Sequence, residues 1–307
     1  MNEYDVLIIG GGAAGLNAAL VLARARRRVA VVDEGRPRNA PASHMHGFLS
    51  RDGIPPADVL ALGRDEVLRY GGELISGAVT TLARGFRATL DDGTTLLARR
   101  VLVTTGLRDQ IPDIPGLAER WGRDVLHCPY CHGYEVRDQA LGVLGGDQGA
   151  VAHALLIRQW SNDVMLFTSS HPLTPEQQEA LQARGVAVES RPIRRMSVEA
   201  DALRGVELED GQVVPRSAVF VRPAFVPNDS LLRGLGCESD EHGWTVHDAG
   251  GATSVAGLYV AGNASDPRAQ VITAAGQGSA SAIAINNDLV AEDTRAAVDR
   301  LRPYELH

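Results

Sequence analysis

The chain has 307 residues, of which 44% are hydrophobic and 22% charged, and its formal net charge is −8. This size and composition describe a globular protein large enough for two domains and exclude a largely disordered chain. The acidic balance argues against nucleic acid as a partner. Thirty-three glycines and only five phenylalanines favour an α/β protein with many tight turns over an aromatic-rich binding surface.

The N-terminal part of the chain predicts a strand, a turn, a helix and a second strand. The first strand is Val6–Ile9, the helix runs from Leu16 to Arg26, and the second strand is Val29–Val32. Glycines interrupt the apolar run from Val6 to Ala25 and the segment before it is acidic, so we read this run neither as a membrane span nor as a signal peptide. We therefore expect a protein without membrane segments.

The turn after the first strand has the glycine pattern of a dinucleotide-binding fold, with Gly10, Gly12 and Gly15 in G-x-G-x-x-G spacing. The first glycine permits the turn, the second lets a pyrophosphate approach the backbone, and the third lets the helix pack on the strand. The helix N-terminus attracts the anion, and Asp33 after the second strand accepts hydrogen bonds from a ribose. The pattern predicts NAD or FAD, and a βαβ unit without a ligand is the alternative.

Residues 127–132 read His-Cys-Pro-Tyr-Cys-His and contain two of the three cysteines, Cys128 and Cys131. Two thiols at this spacing can close and reopen a small disulfide ring and so carry two electrons. Zinc is an alternative, although no second Cys-x-x-Cys completes a set of four ligands, and a pair of structural thiols is another. Cysteines without a secretory leader fit a reducing cytoplasm, where a reversible pair is more often catalytic. Cys237 has no identifiable partner.

A second βαβ unit follows the cysteines. It comprises a strand at Leu141–Leu144, a glycine-rich turn, a helix at Val151–Trp160 and a strand at Val164–Phe167. A nicotinamide nucleotide would bind at this turn, but Asp147 stands where the glycine for the pyrophosphate is expected. The bulk and the negative charge of this side chain both oppose the ligand.

Two further segments, 101–106 before the cysteines and 257–263 far downstream, read as strands that end in Thr-Gly and Gly-Asn turns. With the Cys-x-x-Cys motif they resemble the low-molecular-weight thioredoxin reductases over essentially the whole chain. The resemblance implies an α/β fold with two Rossmann-like dinucleotide-binding domains and FAD as the cofactor. It further implies a discontinuous FAD-binding domain at residues 1–113 and 241–307, with an inserted NAD(P)-like domain at residues 114–240 that carries the cysteines.

The same resemblance assigns the FAD contacts. A helix predicted from Val271 through Ile283 points its N-terminus at the pyrimidine end of the flavin ring, where its dipole favours the anionic reduced flavin. Asn263 stands where the family usually has Asp, and it keeps an acceptor oxygen but loses a charge. Members of the family commonly dimerise, and we expect a homodimer. The FAD-binding residues that the resemblance implies are Gly10, Gly12, Gly15, Asp33, Thr105, Gly106, Gly262, Asn263, Gln270 and Val271.

The chain departs from the NADPH-using relatives just after the second strand of the inserted fold. Those relatives carry arginines there for the 2′-phosphate, whereas Thr168–His171 contains no arginine and no acidic residue that would bind a free ribose. NAD(P)H binding is therefore doubtful. The combination of a flavin with a disulfide that NADPH does not reduce resembles the dithiol oxidase branch of the family. Members of this branch close disulfides in small natural products such as gliotoxin and holomycin. The closer likeness lies in residues 44–47, 51–53, 128–135, 222–227 and 266–271.

The branch implies that a substrate thiolate attacks Cys128, that Cys131 passes the electron pair to FAD, and that molecular oxygen takes the electrons and leaves H2O2. His132 stands where thioredoxin reductases carry an acid/base aspartate, and an imidazole suits removal of a thiol proton near neutral pH. No metal is expected. The alternatives are a thioredoxin-disulfide reductase fed by NADPH or a ferredoxin-like donor, and a non-catalytic redox sensor. The sequence identifies neither the dithiol nor a role for His44 and His46.

Overall fold

The computed structural model describes residues 2–301. Its strands are β1 (Asn2–Ile9), β2 (Val29–Asp33), β3 (Glu73–Ser76), β4 (Val79–Ala83), β5 (Arg87–Leu90), β6 (Thr95–Val103), β7 (Leu107–Gln110), β8 (Val125–Leu126), β9 (Leu141–Leu144), β10 (Val164–Phe167), β11 (Ala187–Glu189), β12 (Ile193–Glu199), β13 (Ala202–Leu208), β14 (Val213–Pro215), β15 (Ala218–Val221), β16 (Ala224–Pro227) and β17 (Leu258–Val260). Its α-helices are α1 (Ala13–Arg24), α2 (Pro56–Arg69), α3 (Pro129–His132), α4 (Gln148–Ile157), α5 (Pro175–Ala183), α6 (Ser230–Gly234) and α7 (Val271–Leu301).

The chain divides into two compact units. Among the described residues, the first comprises residues 2–40, Pro56–Arg108 and residues 226–301, and the second comprises Pro41–Pro55 and Asp109–Phe225. The boundaries fall within β7 and β16, which form a two-stranded sheet. The domain limits after residues 113 and 240 stay a prediction. The loop Pro41–Pro55 lies in the second unit although β2 and α2 on either side of it lie in the first.

The first unit is built on a seven-stranded sheet in the order β3-β2-β1-β6-β5-β4, with β17 also paired to β6. Its central pairs, β1 with β2 and β1 with β6, are parallel. Both faces of β1 are covered by separate apolar clusters, which explains why Val6–Ile9 is an unbroken apolar run rather than an alternating one. Each fully buried Val, Leu or Ile here stabilises the fold by about 1.5–3 kcal/mol.

The second unit is built on a five-stranded parallel sheet in the order β11-β10-β9-β15-β8, together with an antiparallel sheet of β12, β13 and β14. Two apolar clusters also cover this parallel sheet. The predicted strands Leu141–Leu144 and Val164–Phe167 are confirmed residue for residue. Both units therefore present a parallel sheet with a helix directly after a strand and a glycine-rich turn, as the sequence predicts.

Three predicted helices differ in their limits. The first begins at Ala13 rather than Leu16 because the turn ends at Gly12, and it ends at Arg24 because Arg26 has a φ of 63°. The helix of the second βαβ unit begins at Gln148, since Asp147 is its N-cap. The final helix continues past Ile283, through an acidic stretch that forms ion pairs with two arginines of β6. Within residues 2–301, no helix combines the length and apolar character that a membrane crossing requires.

Candidate active site

The turn between β1 and α1 is closed by the end of β6. Gly10 has a φ of 110°, which glycine adopts readily, and its carbonyl accepts a hydrogen bond from Thr104 Oγ1 at 2.8 Å. A Cβ at Gly15 would overlap the Gly10 carbonyl, so the first turn of α1 packs against the strand end with no room for a side chain. The structure thus gives Gly10 and Gly15 the positions that the glycine pattern predicts.

Gly12 leaves the N-terminus of α1 open. It is the N-cap residue, α1 has no side-chain cap, and a Cβ added at Gly12 would meet no heavy atom of the described chain within 4 Å. The first amides of the helix are therefore accessible to an anion. A cavity of about 480 Å³ continues from Gly11 past the side chain of Asp33. Glycine backbone, helix N-terminus and carboxylate together fit the ADP half of a dinucleotide.

Asp33 is held at the end of β2 by two contacts. Its Oδ1 accepts a hydrogen bond from the Gly11 amide at 3.1 Å, and its Oδ2 lies 3.3 Å from a guanidinium nitrogen of Arg64. Arg64 comes from α2, and nothing in the sequence pattern signals this contact. The carboxylate therefore faces the cavity in a fixed orientation and retains lone pairs for a ribose hydroxyl.

Thr105 and Gly106 follow β6 and meet a segment from much later in the chain. Thr105 Oγ1 donates to the Asn228 carbonyl at 2.6 Å, and Asn228 Nδ2 donates back to the Thr105 carbonyl at 2.9 Å. The Asn228 amide also donates to the Gly106 carbonyl at 2.9 Å. These bonds explain the Thr-Gly turn as a structural anchor of the first unit, and a contact of either residue with FAD stays a prediction.

Gly262 and Asn263 lie between β17 and α7. An added Cβ at Gly262 would lie 3.1 Å from Ala14 Cβ, which brings this turn beside the start of α1. Asn263 Nδ2 donates to the Asp266 and Ala269 carbonyls at 2.8 and 3.0 Å, bonds that an aspartate could not make. Its amide, not only its acceptor oxygen, therefore explains Asn at this position. Gln270 immediately precedes α7, whose first residue is Val271.

The two cysteines flank the short helix α3. Cys128 is the N-cap residue of this helix, Cys131 lies within it, and the two are joined as a disulfide with a Cα–Cα distance of 5.3 Å. Both side chains are half-buried. Within residues 2–301, no group of three or more His, Cys, Asp and Glu side chains is arranged to hold a metal ion.

His132 follows Cys131 directly and is half-buried. Burial lowers the pKa of His132 below its ordinary value, Glu135 acts in the opposite direction, and His46 adds to the lowering. The imidazole is therefore neutral at neutral pH and can accept a proton. His132, Glu135 and His46 line one cavity of about 380 Å³ in the second unit.

His127 is held by packing rather than directed at the cavity. Its Nδ1 lies 3.0 Å from the Val221 carbonyl, and its ring makes an edge contact with Phe225 at 5.2 Å between centroids. The ring centroid of the buried His153 of α4 lies 5.7 Å from that of His127. Burial, and then the nearby His127 and Arg222, lower the pKa of His153 to about 4.

The turn between β9 and α4 is filled by side chains of the protein. Asp147 Oδ1 accepts a hydrogen bond from the Ala150 amide at 2.7 Å and so caps α4. Its Oδ2 lies 3.4 Å from a guanidinium nitrogen of Arg222, and a Cβ added at Gly149 would overlap that guanidinium. A Cβ at Gly146 would likewise overlap the side chain of His171. Arg222 belongs to the segment 222–227 that the sequence singles out without a physical role.

Comparison with known proteins identifies the family. The model of the family described as pyridine nucleotide-disulphide oxidoreductase matches residues 4–278. The chain belongs to this family. It is 32% identical to thioredoxin reductase sirT of Leptosphaeria maculans over 95% of this chain and 96% of that protein. It is 35% identical to thioredoxin reductase tcpT of Claviceps purpurea over 85% of this chain and 87% of that protein.

Among solved structures, the crystal structure of HlmI superposes with a TM-score of 0.95 at 56% identity, over 96% of this chain and 95% of that one. The sequence resemblance to the thioredoxin reductases, the two-domain α/β fold and the assignment as an FAD-dependent oxidoreductase are thereby confirmed. When bound, FAD is a carrier of two electrons.

All ten predicted FAD-binding residues lie in the first unit, and the predicted catalytic residues Cys128, Cys131 and His132 lie together in the second. Their individual roles stay predictions. The sequence did not predict three contacts, which are Arg64 with Asp33, Arg222 with Asp147 of the second glycine-rich turn, and His46 with Glu135. Each joins segments distant in the chain, and an arginine or histidine in a loop carries no local pattern that announces its partner.

Proposed function

We propose that the protein is a dithiol oxidase that closes a disulfide in a small dithiol substrate, with molecular oxygen as acceptor and H2O2 as product. The reaction balances as dithiol plus O2 giving disulfide plus H2O2. The observation that carries the proposal is the filled second turn, where the Asp147 carboxylate and the Arg222 guanidinium take the space that a coenzyme pyrophosphate needs. Electrons would therefore enter through sulfur and not through NADPH.

Missing phosphate contacts also weaken the binding of a nicotinamide coenzyme at the second turn. The segment Thr168–His171 offers no guanidinium to a 2′-phosphate, and each charge-assisted hydrogen bond lost is worth roughly 1.5–3 kcal/mol. Two such losses weaken binding about 10²–10⁴-fold. In addition, Asp147 presents a negative charge to the pyrophosphate at the point where related folds present bare backbone. These effects act together against a nicotinamide coenzyme.

The cysteine pair carries out the exchange. A substrate thiolate attacks Cys128 and forms a mixed disulfide, which releases Cys131 as a thiolate. The second thiol of the substrate then attacks the same mixed disulfide, so that the substrate leaves as a disulfide and both cysteines are reduced. His132 takes the proton of an incoming thiol, for which its neutral imidazole is suited. Bound FAD would supply the two-electron acceptor that returns the cysteines to the disulfide and delivers the electrons to oxygen.

An anaerobic titration tests the electron source. We expect dithiothreitol to bleach the visible flavin absorbance of the purified holoprotein and a stoichiometric amount of NADPH to leave it unchanged. Admission of air should then restore the absorbance with one H2O2 per dithiol oxidised. Stoichiometric bleaching by NADPH without bleaching by dithiothreitol would contradict the proposal and favour a thioredoxin-disulfide reductase.

A matched pair of cysteine variants tests the route through sulfur. Cys128→Ser should abolish oxygen consumption with a dithiol, because the mixed disulfide cannot form. Cys237→Ser is the control, since Cys237 lies in the first unit, where Thr253 is its hydrogen-bond partner. Unchanged turnover in Cys128→Ser would contradict the route through the cysteine pair and leave the disulfide at most a role as a redox sensor.

A further inference from the structure

The cysteine pair lies on a helix too short to be stable by itself. α3 has only four residues, and the Cys131 and His132 amides both donate to the Cys128 carbonyl at 3.2 Å. The Gly133 amide closes the turn on the Pro129 carbonyl at 2.7 Å. Helices shorter than about 12 residues are marginal in water without tertiary packing. The conformation that brings the two sulfurs together therefore depends on what packs against α3.

The indole of Trp160, which follows α4, packs on this helix. Its ring meets the Tyr130 ring edge-on, with 5.5 Å between the centroids and an interplanar angle of 87°. A Cβ added at Gly133 would lie 2.9 Å from two ring atoms of Trp160. Trp160 therefore contacts both the middle of α3 and the residue that ends it.

Gly133 is explained by close packing and not by its backbone conformation. Its φ is −64° and its ψ is −31°, which are ordinary values for a helical residue with a side chain. Gly133 is buried, and an added Cβ would overlap the Pro129 carbonyl as well as the indole. The end of α3 therefore lies directly against Trp160, with no room for a side chain between them.

Main-chain hydrogen bonds hold Trp160 in place. Its amide donates to the carbonyl of the fully buried Ile157 at 2.9 Å, and its carbonyl accepts the Asp138 amide at 2.9 Å. The next residue adds a further link, since Ser161 Oγ donates to the Gln139 carbonyl at 2.5 Å. The backbone that carries the indole is therefore joined both to the apolar core under α4 and to the segment that follows the cysteines.

We propose that Trp160 is a positioning residue of the redox pair. It holds α3 in the conformation that joins Cys128 to Cys131 and so favours the disulfide over the dithiol. This inference rests on the proposed function, in which the pair is oxidised and reduced in each turnover. Trp160 itself does not react, and it acts only through its contacts with Tyr130 and Gly133.

The physical basis is the entropy of ring closure. A loosely held segment must lose conformational freedom before its two thiols can bond again, whereas a segment that is already held loses little. An aromatic edge contact alone is large enough to change such an equilibrium by about two- to tenfold. Because the indole also packs on Gly133, we expect Trp160 as a whole to favour the disulfide about tenfold.

Anaerobic equilibrium with glutathione tests the proposal on the FAD-loaded protein. Two molecules of reduced glutathione form oxidised glutathione as the Cys128–Cys131 bond breaks, and their two protons pass to the cysteines. Acid quenching, alkylation and mass spectrometry measure the dithiol fraction at each glutathione ratio. We expect Trp160→Leu to shift the equilibrium constant about tenfold toward the dithiol, whereas Trp160→Phe, which keeps a ring against Tyr130, should stay within about twofold.

Trp121→Leu is the matched control. Trp121 is the other tryptophan of the second unit, and it packs against an apolar cluster on the antiparallel sheet. Its substitution should leave the glutathione equilibrium unchanged. Tyr130→Ala removes the partner of the edge contact at an exposed position, so it should fold even if Trp160→Leu does not. It should shift the equilibrium about threefold toward the dithiol.

Gly133→Ala examines the second contact of the indole. It should displace the ring and shift the equilibrium toward the dithiol, but by less in the Trp160→Leu background, where the indole is absent. A shift of the same size in both backgrounds would contradict the proposal.

An equilibrium constant that Trp160→Leu and Tyr130→Ala both leave unchanged would overturn the inference. So would a shift in Trp121→Leu as large as that in Trp160→Leu. The two proposals fail separately, because the glutathione equilibrium involves neither oxygen nor a dithiol substrate. A shift toward the dithiol in Trp160→Leu, in a protein that consumes no oxygen with any dithiol, would refute the oxidase and retain the role of Trp160.

Discussion

The two βαβ turns of this chain share one framework and differ at the helix N-cap. In the first, Gly12 leaves the amides of α1 open, whereas in the second the Asp147 carboxylate bonds the Ala150 amide of α4. The first turn also opens on a cavity, while Arg222 covers Gly149 in the second. A strand, a turn and a helix therefore do not by themselves define a nucleotide site. The N-cap residue determines whether the free amides of the first helical turn are open to an anion or already bonded by a side chain of the protein.

This difference has a thermodynamic consequence. The amides at the start of α1 lack a capping side chain, so a pyrophosphate bound there would satisfy them and would link FAD binding to the stability of the first unit. The start of α4 is satisfied internally, and no ligand is needed to stabilise it. The helix of the first turn therefore begins with open amides, whereas the helix of the second turn is already capped.

The largest expected effect comes from giving the first turn the cap of the second. Gly12→Asp should weaken FAD binding about 10³-fold, or about 4 kcal/mol, because the new carboxylate takes the pyrophosphate position and repels it. The fold should survive, since Gly12 has a φ of −78° and an added Cβ has open space. Flavin content after purification and the affinity of the apoprotein for FAD measure the effect.

The control for this variant is Gly12→Ala, which adds bulk without charge and should lose less affinity. The apoprotein of Gly12→Asp should melt no lower than the unmodified apoprotein, because an N-cap Asp stabilises a helix. Unchanged FAD affinity in Gly12→Asp would show that the cofactor does not use this turn.

The second expected effect is a pH-dependent loss of stability that arises in α4. α4 buries His153, whose pKa of about 4 lies below the ordinary value near 6.5. Between those values the unfolded chain binds a proton that the folded chain does not, so stability falls as the pH drops from about 7 to 4, by about 3 kcal/mol for this group.

Urea unfolding at pH 7 and pH 4.5 measures this loss, and His153→Phe should remove it. The comparison uses the difference between the two pH values, which cancels the change in packing that the new ring causes. Equal pH dependence in the two proteins would mean that His153 is protonated in the folded state. The lost stability belongs to the second unit and should not change FAD affinity at neutral pH.

The third effect concerns the ribose contact that is predicted for Asp33 of the first turn. Asp33→Ala should weaken FAD binding by about 2 kcal/mol, because it removes a charged acceptor and leaves the Gly11 amide without its bond. Asp33→Asn keeps an acceptor oxygen and should lose less. Glu34→Gln is the matched control, since Glu34 forms an exposed ion pair with Arg36. Calorimetric titration of the three apoprotein variants with FAD measures their affinities and ranks them.

Much of this comparison could be predicted from the sequence. The apolar runs of β9 and β10 are buried and mark both limits of their strands, whereas the run Val6–Ile9 marks only the end of β1, which begins at Asn2. Gly12 and Asp147 could be compared because both stand at a fixed place after a strand. The strand runs and the N-cap residues depend on neighbouring residues in the chain, and a local sequence pattern is therefore sufficient to predict them.

The remaining contacts depend on the tertiary fold. Arg222 reaches the second turn from the end of β15, 75 positions after Asp147. His46 reaches Glu135 from a loop that lies far away in the sequence. The length of α7 beyond Ile283 depends on ion pairs with Arg99 and Arg100 of β6. No periodicity encodes such pairings, because each requires the strands and loops to be placed first.

The smallest expected effect isolates the cap of the second turn. Asp147→Ala should lower the free energy of unfolding by about 1 kcal/mol, since the Ala150 amide loses its acceptor, and Asp147→Asn should lose only a few tenths. Neither variant should bind NADPH tightly, because Arg222 still covers Gly149 and no arginine follows β10. Urea unfolding measures the free energy of unfolding, and NADPH fluorescence measures the affinity for NADPH. Tight NADPH binding by Asp147→Ala would show that this one carboxylate, without Arg222, keeps the second turn closed.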